Sequence, residues 1–195
     1  MSWLYYNSPD NEYRYALGDV QPMPSKLLLC FGINPSKATP TKLDPTAKRI
    51  EKIAKEHGYD SWIILNLCPK RTTDPNGMEE SQATIPHKEN LEIITKLLNE
   101  YCELSDILFA YGDLIEKRSY LKKNLFEIIN VIKASKHNGN YYCLGKTKAG
   151  NPRHPLYQKT STSFVPYSLE VHTYSQITFL QDNRCAIGEY SESGV

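Results

Sequence analysis

The sequence has no long hydrophobic run, no closely paired cysteines and no glycine-rich phosphate loop, and each absence removes a class of function. No stretch approaches the roughly 20 apolar residues needed to span a bilayer. The start, Met1-Ser2-Trp3-Leu4-Tyr5-Tyr6, lacks a basic region followed by an apolar block, so the expectation is a cytoplasmic protein with no membrane partner. The five cysteines, Cys30, Cys68, Cys102, Cys143 and Cys185, never form a C-x-x-C pair, which argues against zinc and iron-sulfur centres. Their odd number, without a secretion signal, also argues against a disulfide framework; they read as small hydrophobic filler, with a reactive thiol left open at Cys68 after Asn66-Leu67. His57, His87, His137 and His172 share no metal-ligand spacing, and no G-x-x-x-x-G-K loop occurs. No metal and no cofactor is therefore expected.

What is present is a chain of 195 residues, 40% hydrophobic, of a size and composition that suit one globular core. The most informative segment is Lys26-Leu27-Leu28-Leu29-Cys30-Phe31-Gly32-Ile33-Asn34-Pro35-Ser36. An apolar run closed by glycine, an amide and proline predicts a buried strand that delivers a polar turn. Asp44-Pro45 predicts a helix start, with Ile50, Ile53 and Ala54 on its apolar face and Gly58 at its end. Trp62 to Leu67 reads as a second strand, feeding a polar loop from Cys68 to Gly77. A helix over His87 to Cys102, a strand over Asp106 to Tyr111, a helix carrying Leu114 to Ile132 and a short strand from Tyr141 to Leu144 follow. Tyr13 to Leu17 reads as an added edge strand, Val171 to Leu180 as a further strand and Gly188 to Val195 as a frayed terminus. Strands alternating with helices predict an α/β fold, a three-layer α/β/α sandwich with a mostly parallel central sheet. Residues 1–160 would form this domain, with 161–195 as a carboxyl-terminal extension packed on it. The Asn34 turn, the Arg71 loop, the Gly112 turn and the Arg153-His154 loop would then share one rim, where open α/β sheets bind ligands.

The net charge of +1 conceals an asymmetry. Ten Lys and Arg residues lie between Lys117 and Lys159 against one acid, Glu127. Such an excess attracts phosphates, and Tyr120, Tyr141, Tyr142 and Tyr157 are interleaved as stacking surfaces; a solvated basic helix face explains Lys117 to Lys123 equally well.

Several blocks occur in order: Gly32-Ile33-Asn34-Pro35-Ser36-x-Ala38, Asp44-Pro45-Thr46-x-x-Arg49, Asn66-Leu67, Thr73-Asp74-Pro75, Gly112, and Leu144-Gly145-x-Thr147-Lys148-x-Gly150-x-Pro152-Arg153-His154-Pro155-Leu156-Tyr157. With them the chain resembles domain-of-unknown-function family sixteen-forty-three over about Tyr13 to Tyr157. Thr39 stands where that family usually has an acid. More distantly, Gly32-Ile33-Asn34-Pro35, Asn66-Leu67 with Arg71-Thr72, and His154-Pro155 are similar to motifs of the uracil-DNA glycosylase superfamily, in its mismatch-specific branch. That resemblance implies a uracil-DNA-glycosylase-like fold in which Asn34 orients the water attacking the sugar C1′ and His154 stabilises negative charge on the departing base. Gly32, Ser36, Asn66, Arg71, Lys146, Lys148, Arg153 and Tyr157 would contact the substrate, with Arg71 favoured for a phosphate. A histidine tied to a backbone carbonyl is the competing reading of His154; Asp44 reads as a helix cap and Asp74 as a turn former. The functions in contention are a nucleic-acid or nucleotide-binding N-glycosidic hydrolase, a non-enzymatic module for the same partners, and a protein-interaction factor on the same fold.

Overall fold

The computed structural model describes residues 2–170. The predicted strand over Val171 to Leu180, the terminus from Gly188, His172 and Cys185 lie outside them. Within the described residues the strands are β1 (Ser2–Asn7), β2 (Arg14–Val20), β3 (Leu27–Gly32), β4 (Ser61–Asn66), β5 (Ser105–Phe109), β6 (Tyr141–Cys143) and β7 (Val165–Pro166). The helices are α1 (Pro45–Glu56), α2 (Thr84–Glu100) and α3 (Ser119–Ala134). The strands form one sheet in the order β1-β2-β4-β3-β5-β6-β7. Its centre, β4-β3-β5-β6, is parallel, as helical crossovers require, while β1, β2 and β7 pair antiparallel at the two sides. The sheet is thus mixed: parallel at the centre, where all four predicted rim loops originate, and antiparallel in its outer pairings.

The pleat sorts side chains into two cores. Leu27, Leu29 and Phe31 of β3 pack with Ile94, Leu98, Leu125 and Ile129 from α2 and α3. Leu28 and Cys30 point the other way and pack with Ile50, Ile53 and Ala54 of α1. Helices therefore cover both faces, giving three layers and explaining why β3 reads as a continuous apolar run. At roughly 1.5–3 kcal/mol for each fully buried large apolar side chain, these two interfaces supply most of the drive to fold.

The expected caps and breaks largely coincide with the observed elements. Asp44 Oδ1 accepts from the Ala47 N–H at 2.8 Å, starting α1 where Asp-Pro predicts it. The segment Tyr13 to Leu17 differs from expectation. All of Arg14–Val20 is buried, because β2 lies between β1 and β4, and β1 forms the edge. The predicted third helix also begins late. Gly112–Lys117 is a 3₁₀ turn, and Arg118 is extended with its guanidinium donating to the Glu79 and Met78 carbonyls, so α3 starts only at Ser119. Beyond Thr160, β7 pairs with β6, and Tyr167 and Leu169 enter the α2/α3 core.

The carboxyl end of β4 is tied to both helices on that face. Buried Asn90 of α2 donates Nδ2–H to the Asn66 carbonyl, and buried Asn124 of α3 donates to that of Leu67, each at 3.0 Å. These bonds give partners to the carbonyls at and just past the last β3/β4 ladder pair, Gly32 with Asn66.

Candidate functional site

Parallel β3, β4, β5 and β6 end on the same rim, so their following loops converge. β3 ends at Gly32 and leads into Asn34; β4 ends at Asn66; β5 leads to Tyr111-Gly112; and β6 leads through a tight hairpin to His154. A small cavity of about 70 Å³ is lined by Gly32, Asn34, Ser36, Asn66 and His154, together with Arg14, Asp44 and Leu114. It adjoins a wider cavity of about 790 Å³, because His154 and Leu114 line both. Arg153, Tyr157 and Lys117 line the wider one.

Asn34, Asp44 and His154 are held by hydrogen bonds to their local backbone. The Asn34 amide donates both to the Pro35 carbonyl at 3.1 Å and to the Thr72 carbonyl at 3.0 Å, which fixes its amide and leaves Oδ1 as a fixed acceptor. Gly32 makes room for its neighbour: a Cβ there would stand 3.1 Å from Asn66 Oδ1. Asn66, on the α1 face of β4 by strand alternation, is nearly fully buried, and its Nδ2 has no partner among the described residues. Asp44 lines the cavity with its Oδ1 committed to the helix cap.

His154 caps the 3₁₀ turn Pro155–Tyr157, and its Nδ1 accepts from the Leu156 N–H at 3.3 Å. An Nδ1 that accepts places the proton of the neutral ring on Nε2, making that nitrogen a donor. Burial pushes the His154 pKa below its ordinary value, although the Asp44 carboxylate opposes the shift. The ring is therefore neutral at pH 7. The competing reading, a ring tied to a backbone carbonyl, is not what this bond shows: the partner of Nδ1 is a backbone N–H.

Gly112 sets how closely the β5 and β6 loops approach. It has φ +67°, its N–H donates to the Pro152 carbonyl at 2.9 Å, and an added Cβ would meet His154 Cβ at 3.3 Å. Gly112→Ala is expected to cost about 1–2 kcal/mol for the left-handed backbone alone, measurable by urea unfolding, and to push His154 from its position.

The hairpin after β6 is tied to the same loop. Asp113 Oδ1 accepts from Thr147 Oγ1 at 2.6 Å and Asn151 Nδ2 at 2.9 Å, and these bonds hold its carboxyl below the usual range. Arg153 donates Nε–H to the Lys146 carbonyl at 2.9 Å. Lys146 and Lys148 are exposed on this hairpin and line neither cavity. Tyr157 is 82% exposed with its ring centroid 5.9 Å from that of His154, an aromatic face at the mouth of the wider cavity.

The basic tract does not form one patch. α3 spans about 24 Å at 1.5 Å per residue and carries Lys133 to the end of the fold away from Lys117. Near its start, Lys122 pairs with Glu116 and Arg118 with Glu80, and within α3 Lys123 pairs with Glu127. Lys70 is likewise occupied, by Glu12 at 2.6 Å and Glu79 at 3.6 Å, whereas its neighbour Arg71 makes no ion pair among the described residues. Arg71 and Ser36 line a third cavity beside the small one. Burial raises the Cys68 thiol pKa, so this cysteine is not activated.

Among the residues that the sequence did not single out are Arg14 and Leu114 on the small cavity and Lys37 on the third. Arg14 carried no signal beyond a charge in a strand, and only its burial against the Asn34 loop singles it out. Leu114 read as part of a helix face, yet it lies in the 3₁₀ turn.

A mixed α/β sheet with ligand-competent polar groups gathered at the carboxyl ends of its parallel strands defines the class. The chain belongs to the family described as Protein of unknown function (DUF1643), whose model matches residues 14–156. No curated protein and no solved structure matches it. Among the described residues, no helix is long and apolar enough to cross a membrane.

Proposed function

We propose that this chain is a uracil-DNA-glycosylase-like protein that binds a nucleic acid or nucleotide at the rim and hydrolyses an N-glycosidic bond. The observation that carries the reading is the pairing of Asn34 and His154 on one small cavity, the first with a fixed acceptor and the second with a neutral-ring donor. Hydrolysis breaks the bond from C1′ to the base nitrogen, and the electron pair leaves with the base. The water oxygen bonds to C1′ as its proton completes the free base. Asn34 Oδ1 accepts from that water and orients it; His154 Nε2–H donates to the departing base, where negative charge develops. The carbocation character of the sugar makes a strong general base unnecessary, consistent with Asp44 being committed as a cap.

The cavity sizes support a division of labour. About 70 Å³ holds a few waters, while the adjoining 790 Å³ falls within the roughly 300–1,000 Å³ of small-molecule sites. Tyr157 offers a stacking face for a base there and Arg153 a cation for a phosphate. The smallness of the Asn34 cavity favours a second reading, a non-enzymatic module that binds the same ligands in the wider cavity alone. Incubating the protein with a panel of damaged and modified oligonucleotides and nucleosides, and quantifying free base by chromatography, separates the two. Release from at least one substrate is expected; binding without release across the panel would leave only the module.

A further inference from the structure

Arg14 presents an unusual electrostatic problem. It is 3% exposed, yet no ion pair reaches it among the described residues. Its Nη1 donates to the Ala38 carbonyl at 3.1 Å, while Nε is buried without a partner among the described residues. Burial pulls its pKa down to about 10, with Asp44 opposing from beyond ion-pair distance, so it is still cationic at neutral pH. A charge in such a place is costly unless an anion compensates it.

A second guanidinium adjoins the first. Arg71 donates Nη2–H to the same Ala38 carbonyl at 3.3 Å and is oriented through Nη1 by Tyr5 Oη at 2.8 Å and Asn11 Oδ1 at 3.1 Å. None of these partners is charged. Arg71 opens onto a cavity of about 460 Å³ that also takes in exposed Lys37 and the hydroxyl residues Ser36, Thr39 and Thr73, with no carboxylate among the described residues that line it. Ser36 lines both this cavity and the Asn34 cavity, and the Asn34 amide holds the carbonyl of Thr72, the residue after Arg71.

We propose that Arg71 and Lys37, with the buried charge of Arg14 behind them, form a phosphate subsite beside Asn34. Two cations, clustered hydroxyls and the absence of a competing carboxylate are the chemistry that recognises a phosphate monoester or diester. The inference deepens the nucleotide reading above, on which its choice of ligand rests: the phosphate is that of the nucleotide whose sugar reaches Asn34. Arg14 sets the potential and anchors the loop through Ala38, as a positioning residue.

Calorimetric titration of the full chain tests it with inorganic phosphate, a nucleoside 5′-monophosphate, a short single-stranded oligonucleotide and an unphosphorylated nucleoside, against chloride at equal ionic strength. The phosphate-bearing probes are expected to bind, and Arg71→Gln to weaken them about 10- to 100-fold, the loss of a charge-assisted hydrogen bond. Lys37→Gln is expected to act in the same direction and less strongly. Arg71 and Lys37 are not fully buried, so these variants keep the test independent of Arg14, whose replacement endangers the fold. Inorganic phosphate binding alone would identify free phosphate as the source; binding of the nucleotide or oligonucleotide identifies a nucleic-acid phosphate, and either supports the subsite. No phosphate-bearing probe binding beyond the chloride control, or binding unchanged in both variants, would overturn it. Phosphate binding without base release removes hydrolysis and leaves the subsite. Base release from unphosphorylated nucleosides without phosphate binding removes the subsite and leaves hydrolysis.

Discussion

Asn34→Ala is expected to lower base release by about 10²–10³-fold, the range for removing one preorganised polar group from a developing-charge site. Oδ1 has little freedom in the native protein, because the amide nitrogen of the same side chain is committed to the Pro35 and Thr72 carbonyls. Alanine removes the Oδ1 acceptor proposed to orient the water and those two bonds together. The bonds are only partly buried and contribute about 0.5–1.5 kcal/mol each, so the variant should remain folded by circular dichroism while its turnover falls. Phosphate titration separates the two losses. Retained phosphate binding places the defect at the water, whereas its loss places it in the Arg71 loop. Release within a few-fold of the unmodified protein would show that Asn34 orients no attacking water.

His154→Ala should reduce release to a similar extent, again about 10²–10³-fold, by deleting the donor proposed for the leaving base. The pH dependence identifies the protonation state. Burial depresses the folded pKa below the ordinary 6.5, so the ring is neutral and the rate should not titrate between pH 7 and 8. The same depression has a stability consequence. A group whose folded pKa lies below its unfolded value stabilises the fold fully above the unfolded pKa, near 6.5, and that contribution is lost as pH falls through the folded value. His137, also depressed mainly by burial and with Nε2 2.9 Å from the Ser105 carbonyl oxygen, acts in the same direction. Urea midpoints measured from pH 7.5 down to pH 5 should therefore fall, and fall less steeply in His154→Gln. An unchanged slope would mean that the ring is not held neutral by its surroundings.

The elements that could be read along the chain are those whose signals are local. β3 announces itself because a strand covered on both faces needs no polar alternation, and α1 because Asp44 and Pro45 supply the cap and the first-turn geometry within four residues. β2 lies inside the sheet rather than at its edge, and its residues do not announce this because burial is not a local property. Arg14 looks like a polar position of an edge strand, yet it is buried, because β1 pairs on the outer side of β2 and the Ala38 loop closes over it. The basic tract misleads for a related reason. Consecutive charges appear to accumulate, but α3 carries them the length of the fold, and side chains from elsewhere in the chain, such as Glu80, neutralise part of the remainder.

The candidate site divides along the same line. Gly32, Asn34, Asn66, Arg71 and His154 can be named from the sequence, because strand ends in an α/β pattern gather on one rim and the resemblance to known motifs picks out these positions on it. Their roles in space cannot. Only the folded chain brings Asn34 and His154 to one small cavity, separates Lys146 and Lys148 from it, turns the His154 ring by its bond to Leu156, and places Arg14 behind Arg71. The layer order of the core and the set of loops that meet at the rim follow from periodicity and chain direction, so the order of residues along the chain is enough to give them. Which polar atoms face one another, and which charges remain uncompensated, was decided by tertiary packing, because hydrogen bonds and desolvation depend on atoms dozens of residues apart.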